Sequence, residues 1–100
     1  MKISTVCGFG IGTSLILKMQ IDQIIKDFDL KEIIEVNPAD LTSIYFDDCD
    51  IIFTSYDIST QLINNTNKEI YIINDFLNKD EIKQQLTILF NKYNLIKDKP

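Results

Sequence analysis

The sequence predicts a three-layer α/β domain built on a four-stranded parallel sheet with strand order 2-1-3-4. Short apolar runs alternate along the chain with longer segments whose apolar residues recur every three or four positions, which are the patterns of strands and of amphipathic helices. The run Ile51-Ile52-Phe53 is continuous rather than alternating, as in a parallel strand covered on both faces. Strands that alternate with helices form parallel sheets with right-handed crossovers.

In the first half of the chain, a strand is predicted over Lys2–Val6 and a helix over Thr13–Asp29. The helix has one apolar stripe with spacing i, i+4, i+7, i+8, i+11, formed by Leu17, Ile21, Ile24, Ile25 and Phe28. A second strand is predicted over Glu32–Val36. A short helix then starts at Asn37-Pro38, because Asn caps helices and Pro favours their first turn; its apolar face is Leu41, Ile44 and Tyr45.

In the second half, the third strand is predicted over Asp50–Thr54, followed by a helical turn over Ser59–Ile63 and a polar loop over Asn64–Asn67. The fourth strand covers Glu69–Ile73. The last helix covers Lys79–Tyr93, with the stripe Ile82, Leu86, Leu89, Phe90 and Tyr93. The tail 97–100 is expected to fray. No linker or repeat is visible, so residues 1–100 are expected to form one domain of flavodoxin-like or Rossmann-like layout.

The composition narrows the function classes. The net charge is −5, so no basic patch is expected for nucleic acid or for an anionic membrane surface. No apolar run approaches the roughly 20 residues of a membrane span, and the apolar start is too short for a signal peptide. We therefore expect a cytoplasmic protein whose two cysteines are free thiols. The chain has no histidine, and neither a metal nor a cofactor is expected.

The candidate site follows the first strand, at the position where a helix should begin. Its residues are Cys7, Gly8, Phe9, Gly10, Ile11, Gly12, Thr13 and Ser14. In strand order 2-1-3-4 this loop lies at the topological switch point, where open α/β sheets bind ligands. The glycines allow positive φ, so that successive N–H groups can point inward. The unpaired N–H groups and the dipole of the following helix favour phosphate and a thiolate. Thr13 and Ser14 can cap the helix or donate to a phosphate oxygen.

Four interpretations of this loop compete. The first is a tight strand-to-helix connection with a small buried Cys7. The second, a dinucleotide or Walker loop, lacks the required spacing: Thr13 stands where the third glycine belongs, and no Gly-Lys-Ser/Thr follows. The third is a cysteine-dependent phosphatase. Such enzymes carry cysteine, five intervening residues, then arginine and a hydroxyl residue. From Cys7 this spacing places Thr13 at the arginine position and Ser14 at the hydroxyl position, and the chain contains no arginine.

The fourth interpretation is a cysteine that carries a phosphoryl group between two other molecules, a role that the missing arginine fits. A cysteine that passes a phosphoryl group onward must not hydrolyse it quickly, and backbone N–H groups with two hydroxyls would hold phosphocysteine only moderately. Asp57 and Asp75 follow the third and fourth strands and could lie near this loop, although loop or capping roles are favoured for both. Cys49 stands between two aspartates, which disfavour its thiolate. A Cys7–Cys49 redox pair is a weak alternative.

The loop resembles that of the IIB component of the bacterial sugar phosphotransferase system, most closely the ascorbate type within the lactose- and galactitol-like group. The matching residues are Val6, Cys7, Gly8, Gly10, Gly12, Thr13, Ser14, Leu15, Lys18 and Met19. This motif covers about the first fifth of the chain. The length, the element order and the third-strand segment 50–55 also agree.

The resemblance implies a phosphotransferase with a phosphocysteine intermediate. Cys7 would take a phosphoryl group from a phosphohistidine on the IIA partner and pass it to a sugar, with L-ascorbate as the best guess, bound by the membrane transporter IIC. Residues Gly8 to Ser14 would form the phosphate loop. Apart from the resemblance, the alternation of Phe9 and Ile11 with the glycines favours equally two interpretations: both side chains are exposed at the loop tip and help to dock IIA or IIC, or one of them packs inward. The chain would work at the cytoplasmic side of the transporter. A non-catalytic anion-sensing module of the same fold remains the alternative.

Overall fold

The computed structural model describes residues 1–7, 11–46, 48–62 and 67–96, apart from the side chains at positions 11, 45 and 46. Strands and helices alternate along these residues. They are β1 (Lys2–Val6), α1 (Ile11–Asp27), β2 (Glu35–Ala39), a 3₁₀ turn (Ser43–Phe46), β3 (Ile51–Thr54), α2 (Tyr56–Leu62), β4 (Glu69–Ile72) and α3 (Lys79–Lys92).

The four strands form one parallel sheet in the order β2-β1-β3-β4, which confirms the predicted topology. Val6 is in register with Ala39 on one side and with Thr54 on the other, and Thr54 is in register with Ile72. The carboxyl ends of all four strands therefore meet at one edge of the sheet. The central strand β1 ends in the middle of that edge.

Two separate apolar clusters cover the faces of the sheet, which makes the fold three-layered. On one face α1 and α3 pack on strand residues that include Ile3 and Phe53. On the other face α2 and the 3₁₀ turn pack on Val6 and Ile52. Because side chains alternate along a strand, β1 and β3 each contribute to both clusters. This double coverage explains the continuous Ile51-Ile52-Phe53 run, all of which is buried.

The second strand lies three residues later than predicted. Asn37 and Pro38 are part of β2 and start no helix, so that prediction was wrong. Proline lacks an N–H but is tolerated in an edge strand, and β2 is hydrogen-bonded only to β1. The residues assigned to the start of the strand form a turn instead, in which the N–H groups of Ile33 and Ile34 both donate to the Leu30 carbonyl, at 3.1 Å.

Both long helices end in the same hydrogen-bonded arrangement, which stops them earlier than predicted. After α1, Asp29 has φ of 59°, the Leu30 N–H donates to Ile25 O at 2.9 Å, and the Asp29 N–H donates to Lys26 O at 3.0 Å. This is a Schellman motif with aspartate at the left-handed position that usually holds glycine. Asn94, with φ of 58°, plays the same role after α3.

The remaining boundaries differ by a few residues. Helix α1 begins at Ile11 instead of Thr13, and α2 covers Tyr56–Leu62 instead of Ser59–Ile63. Strand β3 begins at Ile51 and β4 ends at Ile72, each one residue short of the prediction. Residues 63–66 and the tail 97–100 lie outside the described residues. Across the described ranges, no helix combines the length and apolarity needed to span a membrane.

We expect Asp29→Gly to raise the free energy of unfolding by about 1 kcal/mol. Glycine removes the cost of a Cβ at positive φ, and it also removes a negative charge from a helix C-terminus. Asp27→Gly is the matched control, because it removes the same charge from the same helix end but places glycine inside the last turn. It should not stabilise the protein, since helical glycine costs about 1 kcal/mol. Urea unfolding measures both variants; a less stable Asp29→Gly protein would contradict this account.

Candidate functional site

Cys7 directly follows the last residue of the central strand, at the edge where the four strands end. The alternation along β1 puts its position on the face of the sheet that carries α1, the same face as Ile3. The Cys7 side chain is 4% exposed. The cysteine is therefore a buried group between the end of β1 and the start of α1, at the topological switch point predicted from the strand order.

Two buried threonine hydroxyls bracket the segment that contains Cys7. Thr54 Oγ1, at the end of β3, donates to the Val6 carbonyl oxygen at 2.7 Å. Thr5 Oγ1, in β1, donates to the Ser14 carbonyl oxygen in the first turn of α1 at 2.8 Å. Both threonines are fully buried. The strand end before Cys7 and the helix start after it are thus each tied to the sheet by a side-chain hydrogen bond.

The first turn of α1 carries a buried hydroxyl without a partner. Ser14 is fully buried, and its Oγ has no hydrogen-bond partner within the described part of the chain. Leaving a buried hydroxyl unpaired costs about 1–3 kcal/mol, so the position calls for a ligand or another source of compensation. The first turn also contains no acidic residue, so its N–H groups and dipole are not neutralised by a carboxylate of that turn.

The other predicted loop residues fall into two groups. Gly8, Phe9 and Gly10 lie outside the described residues, and only the backbone of Ile11 is described. Gly12 and Thr13 lie inside α1. Because the helix already starts at Ile11, Thr13 and Ser14 are in its first turn and do not cap it, which corrects that part of the prediction. No atom of the described residues lies within 4 Å of where a Gly12 Cβ would stand, so with respect to those residues this glycine leaves the helix backbone open to an approaching group.

The carboxylates near the strand ends have structural roles. Asp57 is exposed in the first turn of α2, where a negative charge favours the helix. Asp75 accepts the Leu77 N–H at 2.9 Å in the turn before α3. Asp40, just after β2, accepts the Ser43 N–H at 2.7 Å. Hydrogen bonds from the backbone and side chain of Ser43 lower the pKa of Asp40, so this carboxylate is ionised at neutral pH.

Cys49 lies at the opposite end of the sheet from Cys7. In the β1–β3 register Cys7 is level with Ser55, and the extended chain from Ser55 back to Cys49 spans more than about 15 Å. A disulfide requires Cα atoms within about 7 Å, so the Cys7–Cys49 redox pair was wrong. Cys49 packs in the apolar cluster on the α2 face and is 4% exposed.

An exposed apolar surface on α1, formed by Leu15, Ile16 and Met19, was missed in the sequence. These side chains are 45%, 43% and 61% exposed. Among the α1 side chains that the structure describes, they are the apolar ones outside the buried stripe, and this position is the signal that would have revealed them. Lys18, between them, forms an ion pair with Asp22 at 2.6 Å. The surface covers the first turns of α1, beyond the helix start that faces Cys7.

Residues 2–87 match the family model of the lactose/cellobiose-specific IIB subunit of the phosphotransferase system. A protein of Mycoplasma pneumoniae, the ascorbate-specific phosphotransferase-system EIIB component, is 26% identical to this chain over 87 residues. The match covers 87% of this chain and 92% of that relative.

Solved structures share the fold. The lactose-specific IIB domain of Streptococcus pneumoniae superposes with a TM-score of 0.67 at 13% identity, covering 93% of this chain and 97% of that one. A protein tyrosine phosphatase of Entamoeba histolytica superposes with a TM-score of 0.64 at 14% identity, covering 96% and 99%. At these identities the likeness establishes the fold alone, and it confirms the predicted layout.

We expect Ser14→Ala to raise the free energy of unfolding by about 1 kcal/mol, because it removes a buried hydroxyl that has no partner among the residues that the structure describes. Ser59→Ala is the matched control: Ser59 is also buried, but its hydroxyl donates to Tyr56 O at 2.7 Å, so its loss should destabilise the protein.

Urea unfolding with and without inorganic phosphate tests the reason for the unpaired hydroxyl. Phosphate should stabilise the wild type more than Ser14→Ala. A Ser14→Ala protein that is less stable without phosphate, or equally stabilised by it, would contradict the interpretation.

Proposed function

Since this chain belongs to the lactose/cellobiose-specific IIB family of the phosphotransferase system, whose members are phosphotransferase components that work with IIA and IIC partners, we propose that Cys7 carries the phosphoryl group. The observation that carries the proposal is the position of Cys7 between the end of the central strand and the start of α1. The free N–H groups and the dipole at that helix start favour both a thiolate and a phosphoryl group.

The proposed relay has two steps. The Cys7 thiolate attacks the phosphorus of a phosphohistidine on IIA, so that an S–P bond forms and the N–P bond breaks with its electron pair going to the imidazole. A sugar hydroxyl held by IIC then attacks the same phosphorus; an O–P bond forms, the S–P bond breaks, and the thiolate returns as the hydroxyl proton leaves to solvent. In each step the backbone N–H groups stabilise the charge on the phosphoryl oxygens.

The Ser14 hydroxyl and the lack of arginine support a role as a phosphoryl carrier. The buried Ser14 hydroxyl, which has no partner in the described ranges of the chain, is a donor in the first turn of α1, where a phosphoryl oxygen would be bound. The chain contains no arginine, so it has no bidentate clamp for free phosphate monoesters. A site with these donors and no clamp holds phosphocysteine without binding small phosphate esters tightly. Gly8, Phe9, Gly10, Ile11, Gly12 and Thr13 complete the proposed phosphate loop.

The buried sulfur sets a condition on the transfer. Cys7 is 4% exposed in the isolated chain, so a partner must gain access to the sulfur as it docks. We propose that IIA docks on the apolar surface of Leu15, Ile16 and Met19. This surface continues from the helix start that faces Cys7, and an acidic chain that must bind a partner transiently gains affinity there by burying apolar area.

The proposed substrate is L-ascorbate, taken from the function of the Mycoplasma pneumoniae relative. We place the protein on the cytoplasmic side of the membrane, beside the IIC transporter, where the donor IIA would also be found. The second candidate function is a phosphatase, favoured by the shared fold of the Entamoeba histolytica enzyme and opposed by the missing arginine.

Incubation with phosphorylated IIA should add the mass of one phosphoryl group to the wild-type chain and none to Cys7→Ala or Cys7→Ser. Intact-mass spectrometry measures the gain. Cys49→Ala is the matched control and should still be phosphorylated, since Cys49 lies at the other end of the sheet.

A phosphoryl gain on Cys7→Ala would refute the assignment of the carrier residue. The same proteins tested with a small aryl phosphate should release no phosphate. Steady turnover that depends on Cys7 would favour the phosphatase instead.

Met19→Glu should lower kcat/KM for phosphorylation by IIA about tenfold or more, because it places a charge in the centre of the proposed apolar contact. Ile88→Glu on α3 is the matched control: Ile88 is 55% exposed, similar to Met19 at 61%, but it lies on another helix. Both variants should keep wild-type stability. Equal kcat/KM values for Met19→Glu and the wild type would show that IIA docks elsewhere.

A further inference from the structure

We infer that Thr54 and Thr5 are positioning residues that fix Cys7 relative to the start of α1. The inference rests on the proposed role of Cys7 and goes beyond it, since neither threonine belongs to the loop or touches the transferred group in that proposal. Their hydroxyls reach the two ends of the Val6–Ser14 segment from opposite faces of the sheet.

Thr54 controls the strand end before Cys7. It follows Phe53 in β3, so its side chain lies on the α2 face with that of Ile52. Its hydroxyl donates to Val6 O at 2.7 Å. The Val6 carbonyl and the Cys7 N–H belong to the same planar peptide group. Holding the carbonyl therefore also fixes the direction of the Cys7 N–H and the position of its Cα.

Thr5 controls the helix start. It lies in β1, which is hydrogen-bonded on both sides, with Thr5 in register with Pro38 and Phe53. Its hydroxyl donates to Ser14 O at 2.8 Å. A helical carbonyl can accept this second bond through its other lone pair. The first turn of α1, with its free N–H groups, is thereby tied to the central strand that holds Cys7.

The two bonds together set the separation between the sulfur and the N–H groups of the helix start. In-line transfer depends on that separation. Fixed donors stabilise the charge on the phosphoryl oxygens less well when the reacting atom is displaced by about 1 Å or less. Both threonines are fully buried, where a valine would fill nearly the same volume without a hydroxyl. Valine therefore tests the bond with little change of shape.

The experiment compares Thr54→Val and Thr5→Val with the wild type, using Thr54→Ser and Thr5→Ser as rescue variants. Thr87→Val is the matched control, because Thr87 Oγ1 also donates to a backbone carbonyl, that of Lys83 at 2.8 Å, but in α3. Two quantities are measured on folded protein: the single-turnover rate of phosphoryl uptake from phosphorylated IIA, and the pH profile of Cys7 alkylation by iodoacetamide, assigned by peptide mass.

Both valine variants should take up the phosphoryl group about two- to tenfold more slowly, which is the effect of one hydrogen bond on the rate. Their alkylation profiles should differ from that of the wild type, because the sulfur is displaced relative to the helix start. The serine variants should restore both quantities, and Thr87→Val should match the wild type in both.

Valine variants that fold and match the wild type in rate and in alkylation profile would overturn the inference. A loss that serine does not restore would also overturn it, since the effect would then come from packing. If Thr54→Val does not fold, Thr5→Val and the two serine variants decide. If the wild type takes up no phosphoryl group, the proposed function fails, while the alkylation profiles still test whether these threonines position Cys7.

Discussion

The alignment of strand ends around β1 is the constraint on which the site depends. β1 and β3 both have hydrogen-bonded partners on both sides, and β1 is the one that α1 follows directly. Its last residue, Val6, is in register with the ends of β2 and β3, so the position of Cys7 is fixed by two ladders before any side chain contributes. A residue placed there meets the start of α1, whose dipole and free N–H groups face the same edge. The chemistry proposed for Cys7 follows from this placement and needs no metal.

Because the fold is shared with a tyrosine phosphatase, the side chains at the site, and not the fold, must distinguish phosphoryl transfer from hydrolysis. Both kinds of protein can be built on the same sheet, so the fold by itself does not separate carriage of a phosphoryl group from its hydrolysis. The separating feature in this chain is the absence of arginine. In the proposed site, backbone N–H groups and one buried serine hydroxyl would hold an anion through dipoles, whereas an arginine fork would add a full charge and bidentate geometry. A weaker set of donors suits a group that must leave for the next acceptor.

The sheet could be predicted from the sequence because its signals are local. Apolar runs in the sequence locate β1, β3 and β4 to within about one residue. The helix ends and the position of β2 were harder to predict from the sequence, because they depend on contacts that hydrophobic periodicity does not reveal. Asp29 and Asn94 replace the glycine that usually marks a helix end, and Pro38 reads as a helix start unless β2 is known to be an edge strand.

At the site, the position of Cys7 followed from strand order. The buried Ser14 hydroxyl and the bonds from Thr5 and Thr54 required the packed structure.

The burial of Cys7 bears on how a carrier differs from an enzyme that meets its substrate in solution. A phosphocysteine loses its phosphoryl group if water reaches the phosphorus, and exclusion of water is one way to prevent that side reaction. Cys7 as a residue is 4% exposed, so in the isolated chain its sulfur is shielded from water and from a donor alike. Access must then be linked to binding of the partner, and the binding energy has to come from a surface outside the buried site.

The exposed apolar side chains on α1 are suited to this role, because they adjoin the helix start and are not used by the core. In the proposed relay, the protection of the sulfur and the exposure of the α1 surface would be two parts of one arrangement, in which only a docked protein would exchange a phosphoryl group with Cys7.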